Sequence, residues 1–245
     1  MAQETSAPCS LLEWDSGFFG FPVAQVAGEI LSQPKGRAAL EWSRVHSIKC
    51  LYFLADPNSP ETAELAYRLG FKLVDVRLQL SIASRSCERS KPPQFALRTA
   101  RPSDVFALQA IARGAHQDSR FFFDSDFQKT RAEDLFATWI ATDCAGRADR
   151  VLTIEGEGGR PIGYVTCNLI KGSNTGRVGL VGVASEVRGR GFGKALVSGA
   201  LEWFWSADVE TVFVVTQARN VAAQRLYQTA GFRTDSVGVW YHRWF

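Results

Sequence analysis

The sequence has no Cys-x-x-Cys pair, no cluster of histidines and no apolar run long enough to span a bilayer. Its cysteines (Cys9, Cys50, Cys87, Cys144, Cys167) are odd in number and widely spaced, and His46, His116 and His242 are equally dispersed. That spacing gives no support to a metal site, and reduced thiols are the expected state. Strong charge is missing too. Lys and Arg number 28 against 25 Asp and Glu, a net +3 that is too small and too scattered to imply a nucleic-acid partner. The opening residues Met-Ala-Gln-Glu-Thr-Ser carry neither a positive segment nor an early apolar core. A secretory leader and a membrane partner are therefore not expected, and the expected location is cytoplasmic.

What the chain does have is an apolar fraction ample for a core, and one stretch around which the rest is organised. Val178 to Val183 reads as a buried strand, followed by the glycine-rich turn Arg188-Gly189-Arg190-Gly191-Phe192-Gly193 and then by Lys194. Leu196, Ala200 and Phe204 recur every fourth residue, with Val197 and Leu201 beside them, which predicts a helix. A strand, a glycine turn and a helix start form an anion cradle, because the first-turn N–H groups are unpaired and the dipole is positive there. Arg188 and Arg190 add charge suited to phosphate. Two familiar phosphate patterns fail. A Walker loop would need glycine where Arg188 stands and Ser or Thr where Ala195 stands, and a dinucleotide fingerprint would need glycine at Lys194.

The N-terminal part begins with Leu-Leu-Glu-Trp-Asp-Ser-Gly-Phe-Phe-Gly-Phe-Pro, read as a loop of large rings and permissive backbone. Taken alone, Phe18 and Phe19 suit the buried edge of a small domain. Ala38 to Ile48 has helical spacing, Cys50 to Ala55 reads as a short strand, and Ser59-Pro60 opens a helix that Gly70 closes. Phe71 to Ile82 alternates as a half-exposed strand does. Residues 83–94 are polar and broken by Pro92 and Pro93, and the basic residues Arg85, Arg89 and Lys91 fall in this solvated linker. Two domains are expected, 1–88 and 89–245.

In the second part, Phe95 to Arg98 predicts a strand, and Arg101-Pro102-Ser103-Asp104 leads into a helix through Ile111. Residues 114–124 read as a loop of rings and charge, of the kind that carries ligand contacts. A helix to about Cys144 follows, then a hairpin of Val151–Glu155 with Pro161–Ile170. After the cradle come a strand at Val209 to Thr216, a helix from Asn220, and a closing strand pair around Phe232 and Val237–Trp244.

Arg188-x-x-Gly191-x-Gly193 resembles the acyl-coenzyme A pyrophosphate signature of the GNAT N-acetyltransferase superfamily, and Arg101-Pro-Ser-Asp resembles the opening of its domains. The resemblance implies an α/β (α+β) fold: a mixed, mostly antiparallel central sheet flanked by helices. An internal echo supports it. Leu65–Phe71, ending Leu-Gly-Phe, is similar to Leu226–Phe232, ending Ala-Gly-Phe, an offset of 231 − 70 = 161. Helix, capping glycine and strand form the closing unit of a GNAT fold, so the N-terminal domain resembles a truncated copy without a cradle. A coincidence of helix caps is the alternative.

The resemblance implies acetyl-CoA as donor and direct attack by a primary amine, with no nucleophilic Cys or Ser. Val181, Gly182 and Val183 would supply strand backbone to the pantetheine arm, and residues 188–194 (Arg188, Gly189, Arg190, Gly191, Phe192, Gly193 and Lys194) would hold the diphosphate. Asn220 and Tyr227 lie about two helical turns apart on one side of the last helix. In the family motif, Asn at the first position contacts coenzyme and Tyr at the second protonates its thiolate. Alone, Tyr227 reads as a half-buried helix tyrosine bonded locally. A general base is not evident: Glu186 sits in the surface turn, and His116 and Asp118 are weak candidates.

Trp14-Asp-Ser-Gly-Phe-Phe-Gly, Gln117-Asp-Ser-Arg-Phe and Val215-Thr-Gln-Ala-Arg-Asn together look like the two-domain GNAT enzymes that acetylate TDP-4-amino-4,6-dideoxy sugars. That resemblance places Phe18, Phe19, Arg120, Phe121 and Gln217 around a small-molecule acceptor, and a homodimer is compatible with it. The intact cradle and the extra N-terminal residues leave the acceptor open. Two rival readings are a protein or peptide acetyltransferase, for which no acidic run exists, and a silent coenzyme A-binding regulator.

Overall fold

The apolar run Cys50–Ala55, with Leu51, Tyr52, Phe53 and Leu54 at its centre, forms a strand because both of its faces find a partner. The computed structural model describes residues 7–84 and 95–245. The predicted linker falls mostly on 85–94, outside the described residues. In chain order the elements are β1 (Cys9–Leu11), α1 (Glu13–Phe19), β2 (Val23–Val26), α2 (Gln33–Val45), β3 (Cys50–Ala55), α3 (Pro60–Arg68) and β4 (Lys72–Ala83). There follow β5 (Leu97–Thr99), α4 (Val105–Ala115), α5 (Arg120–Phe123), α6 (Lys129–Thr142), β6 (Arg150–Glu155), β7 (Pro161–Ile170) and β8 (Thr175–Val183). The last four are α7 (Phe192–Ser206), β9 (Thr211–Gln217), α8 (Val221–Thr229) and β10 (Arg233–Trp244).

The chain divides into two compact units, the first made of Met1–Arg77, Arg120–Gln128 and Val237–Phe245, the second of Leu78–Ser119 and Lys129–Ser236. In the first unit β1 pairs antiparallel with β2, β2 parallel with β3, and β3 antiparallel with β10. One face of β3 and β10, carrying Leu51, Phe53, Val239 and Tyr241, packs into a core with residues of α2 and α3. On the other face Tyr52 lies opposite His242 and Cys50 opposite Trp244. Rings from α1 and from 120–128 meet that face, where Phe127 stands 4.9 Å from Trp244 and 4.6 Å from Phe19.

In the second unit the strand order is β4-β9-β8-β7-β6-β5, with β8 parallel to β9 and the pairs from β5 to β8 antiparallel. Helix α7 carries the apolar stripe read from the sequence: Leu196, Val197, Ala200 and Phe204 are all fully buried. It lies close against the strands at three glycines. A methyl at Gly176 would meet the Phe204 ring at 2.5 Å, one at Gly163 would meet Leu196 at 3.0 Å, and one at Gly199 would meet Leu97 at 2.6 Å.

Several expectations change. The ring-rich segment near the N-terminus contains a helix, α1, which Gly20 closes in the left-handed region at φ 80°. Part of the predicted loop 114–124 is the short helix α5. The predicted closing strand pair is one continuous strand, β10, which runs from Arg233 to Trp244 straight through Asp235 and Ser236. The internal echo holds at the level of single hydrogen bonds. Phe71 N–H donates to Ala66 O and Phe232 N–H to Tyr227 O, both at 3.0 Å, each across a glycine with positive φ (Gly70 at 78°, Gly231 at 96°).

Candidate active site

The site grows from a parallel pair that stops pairing. β8 and β9 are in register from Thr175↔Thr211 to Val178↔Val214, and the register ends there, although β8 continues to Val183 and β9 to Gln217. On its other side β8 stays joined to β7 through a bulge between Val165 and Cys167. Leu180 N–H donates to Thr166 Oγ1 (2.8 Å) and Ala184 N–H to Ile162 O (2.9 Å), both toward β7. Backbone groups alternate sides along a strand, so the N–H groups of Val181 and Val183 face away from β7, into the gap left by β9. Gly182, between them, is needed for packing. A methyl there would lie 2.6–2.9 Å from the ring and hydroxyl of Tyr164, which is fully buried and bonds His116 Nε2 at 3.0 Å.

Beyond Val183 a single 3₁₀ turn, Ser185–Val187, leads into the glycine turn. Gly189 (φ 78°) and Gly191 (φ 87°) occupy the left-handed region, which β-carbons disfavour, and this reverses the chain into α7. Gly191 is the N-cap. No side chain caps the helix, and the first intrahelical bond runs from Ala195 N–H to Gly191 O. The first-turn amides of Phe192, Gly193 and Lys194 therefore point out at the positive end of a 15-residue helix. Arg190, Gly191 and Lys194 are exposed, and Phe192 is fixed by its ring contact with Phe95 at 4.4 Å. Arg188, exposed in the same turn, also makes bonds within the fold. Its Nε donates to Val183 O (3.2 Å) and its Nη2 to Gly114 O (2.9 Å), so it braces the turn against the end of α4.

Helix α8 stands beside this helix start, where a methyl on Gly193 would touch Leu226 at 3.3 Å. Asn220 caps α8, its side chain accepting from Ala223 N–H at 3.0 Å. Tyr227 is 5 % exposed, packed in the same core cluster as α7. Burial pushes its phenol well above the ordinary value, so it holds its proton throughout the neutral range. Gln217 ends β9, and its carbonyl accepts from Asn220 N–H (3.0 Å) and Gln224 Nε2 (3.3 Å).

The base candidates fare unequally. Burial, aided by the charge of Arg188, pushes His116 down to about 4, which leaves a neutral ring stacked on Phe136 and a weak base. Glu186 is exposed; its own backbone N–H and Ser185 hold its carboxyl below the usual range. Asp118 contributes its carbonyl to Arg219 at 3.3 Å. No group of three or more metal-ligating side chains exists among the described residues. Nor is any helix there long and apolar enough to cross a membrane.

Four of the five acceptor residues implied by resemblance meet in the first unit. Phe18 and Phe19 are in edge contact at 5.0 Å, Phe19 lies 5.7 Å from Phe121, and the Arg120 guanidinium lies 4.4 Å from the Phe121 ring. Gln217 belongs to the second unit. A cavity of about 660 Å³ elsewhere in the first unit, lined by Pro8, Ala27, Pro34 and Ala38 among others, holds none of the predicted site residues. Tyr164 and Thr166, which shape the back of the splayed strand, went unnoticed in the sequence. Their signal is the placing of Gly182 opposite Tyr164 and of Gly179 against Thr166, visible once the fold is known.

Comparison with known proteins agrees with this geometry. The sequence model of the acetyltransferase (GNAT) family matches residues 113–232. The chain is 28 % identical to dTDP-fucosamine acetyltransferase of Escherichia coli O6:H1 over 95 % of its own length and 96 % of that protein's. It is 28 % identical to mycothiol acetyltransferase of Saccharomonospora viridis over 84 % of its length and 68 % of that protein's. Among solved structures, a GCN5-related N-acetyltransferase from Sphaerobacter thermophilus shares the fold with a TM-score of 0.70 at 18 % identity, covering 96 % of this chain and 76 % of that one. The splayed pair β8/β9 and the uncapped start of α7 are thus the centre of an acetyltransferase domain of the GNAT family, matched over residues 113–232.

Proposed function

We propose that the chain transfers an acetyl group from acetyl-CoA to the primary amine of a small molecule, of the nucleotide-linked amino sugar kind. One observation carries the reading: the gap between β8 and β9 opens beside a helix start whose amides have no cap. The fit to coenzyme A follows from the donor set. First-turn amides at 192–194, with Arg190 and Lys194 beside them, suit a diphosphate, and the N–H groups of Val181 and Val183 suit the amide-bearing pantetheine arm. Asn220 is assigned to coenzyme contact alongside them.

Bound acetyl-CoA supplies the activated thioester. The chain's own residues do the rest. The inward N–H groups of β8 hold the acyl carbonyl and favour negative charge on its oxygen. Tyr227 keeps a proton available for the departing sulfur. A thiol titrates near 8.5, below the raised phenol, so the transfer needs the closed site to bring the two values together. With His116 a weak base, the amine is best delivered unprotonated or relieved of its proton through water.

The acceptor reading rests on the relative named dTDP-fucosamine acetyltransferase, aligned over nearly the whole chain, and on the meeting of Phe18, Phe19, Arg120 and Phe121. Gln217, in the second unit, is carried over from the resemblance alone. The repeated helix–glycine–strand unit supports a truncated GNAT-like N-terminal domain at 1–88 ahead of the acetyltransferase domain at 89–245.

The test is thiol release from acetyl-CoA across a panel of amines that includes nucleotide-linked amino sugars. Tyr227→Phe is expected to lower kcat about 10²- to 10⁴-fold, the range of general acid catalysis, with the affinity for acetyl-CoA little changed. Equal rates for Tyr227→Phe and the native chain would remove the assigned acid.

A further inference from the structure

Residues 114–118, where α4 ends, are held by three bonds that come from around the gap between β8 and β9. Arg188, which follows β8, donates through Nη2 to Gly114 O at 2.9 Å. Arg219, between β9 and α8, donates through Nη1 to Asp118 O at 3.3 Å. Midway, His116 Nε2 and the hydroxyl of Tyr164 on β7 share a bond of 3.0 Å. All of these residues belong to the second unit. The last carbonyls of a helix lack intrahelical partners, so a guanidinium at Gly114 O is favourable there on its own account. Capping does not explain the rest. The two arginines come from the ends of the two strands that part, and the stretch between their bonds has His116 at its centre.

What His116 holds is the backing of the gap. Tyr164 stands opposite Gly182 in the β7/β8 ladder, and its ring and hydroxyl lie 2.6–2.9 Å from where a β-carbon of Gly182 would be. The ring therefore rests on the backbone of Gly182 itself. Glycine restricts its own backbone least, and the ring removes the freedom that Gly182 leaves to this stretch of strand. The next peptide group is the one that presents the Val183 N–H to the gap. Tyr164 is fully buried, and the imidazole that fixes its hydroxyl is in turn stacked on Phe136 at 4.5 Å. A line of contacts thus runs from His116 through Tyr164 and Gly182 to the Val183 amide. A neutral, weakly basic imidazole is poorly suited to taking the amine's proton, and well suited to this neutral hydrogen bond.

We propose that His116 is a positioning residue for acetyl transfer: through Tyr164 it holds the backbone at Gly182 and so aims the Val183 N–H at the acyl carbonyl, while Arg188 and Arg219 hold the segment that carries it. The acyl carbonyl in this statement rests on the transferase reading above; the contacts from His116 to Gly182 do not. Donors that already point to where charge develops need no reorganisation during the reaction, so a small loss of aim is felt in acyl binding and rate before it is felt in the fold.

The test compares the native full chain with His116→Phe, Tyr164→Phe, the double variant and His116→Gln, whose side-chain amide can replace the imidazole Nε2 in the bond to Tyr164. The first readout is the Val183 amide resonance of the ligand-free chain in nitrogen–proton correlation spectra. Both Phe variants are expected to move it, the double variant no further than the larger single shift, and His116→Gln to bring it back toward the native position, because members of one line of contacts do not add. The second readout is the ratio of the affinities for acetyl-CoA and for coenzyme A, by calorimetry. Coenzyme A lacks the acyl carbonyl, so a general loosening weakens both ligands alike and leaves the ratio unchanged. The Phe variants should lower the ratio about two- to tenfold, the worth of one hydrogen bond, and His116→Gln should restore it. If His116→Phe does not fold, Tyr164→Phe, which keeps the ring, serves in its place. A Val183 resonance unmoved by the Phe variants, shifts that add in the double variant, or a ratio that stays native would overturn the proposal. Failure of the native chain to bind either coenzyme would instead sink the transferase reading, and the Val183 resonance alone would then decide whether His116 sets that amide.

Discussion

At the scale of single residues, the site depends on atoms that are missing as much as on atoms that are there. Gly182 has no β-carbon, and the Tyr164 ring occupies the space one would fill. Tyr164 is fully buried and tied to His116, so it cannot swing aside cheaply. Gly182→Ala is therefore expected to cost about 1–3 kcal/mol, the usual range for overpacking. It should also lower acetyl-CoA affinity, because the strain falls between Val181 and Val183. Urea unfolding and a binding titration would check both, and a variant with native stability would show that the ring has room to move. Little of this was legible in the sequence. Gly182 stood out as part of a motif, but the reason for it lies on β7, eighteen positions earlier at Tyr164, and only the register brings the two together. Arg188 shows the same limit: its motif position was plain, and its bonds to Val183 O and Gly114 O were not.

At the scale of elements, local signals served well where they were complete within a few residues. Ser59 before Pro60, Gly70 after α3, Asn220 before α8 and the four-residue recurrence along α7 each name their element, and each is observed. Signals that depend on a distant partner were lost. Residues 114–124 read as a loop because the anchor at their end, the Asp124 carboxylate, finds His242 and Trp244 more than a hundred positions away. That anchor predicts a pH dependence. Burial pushes His242 down to about 4, against the pull of Asp124, so the folded chain holds this imidazole neutral. Burial pushes Asp124 up, but its bonds from His242 and Trp244 bring it net below the usual carboxylate value. For the histidine, the unfolded chain binds more protons between its ordinary value near 6.5 and about 4, so stability rises with pH across that window. It is complete above that window and declines as pH falls, by an amount on the order of 3 kcal/mol for a shift of this size. The lowered carboxylate acts in the same sense at still lower pH. Urea midpoints measured from pH 8 to pH 4.5 should fall, and His242→Phe should flatten part of the decline. A slope unchanged by that substitution would mean the histidine is already protonated in the fold.

At the scale of the whole molecule, the chain carries one motif twice, helix, left-handed glycine and long strand (α3, Gly70, β4 and α8, Gly231, β10), and only the second copy follows a glycine cradle. The second unit carries the residues suited to coenzyme; the first carries the Arg120 guanidinium and the ring cluster. The fold class was readable because the cradle strand, its turn and its helix are contiguous in sequence. The division into units was harder to read, since the first gathers three separate stretches of chain. The account as a whole rests on the start of α7 holding a coenzyme diphosphate. Its most direct test is calorimetric titration of acetyl-CoA into the native chain and into Arg190→Glu, which reverses an exposed charge in the glycine turn. One site per chain is predicted, weakened on the order of tenfold or more by the substitution. No binding to the native chain, or equal binding by both, would contradict it.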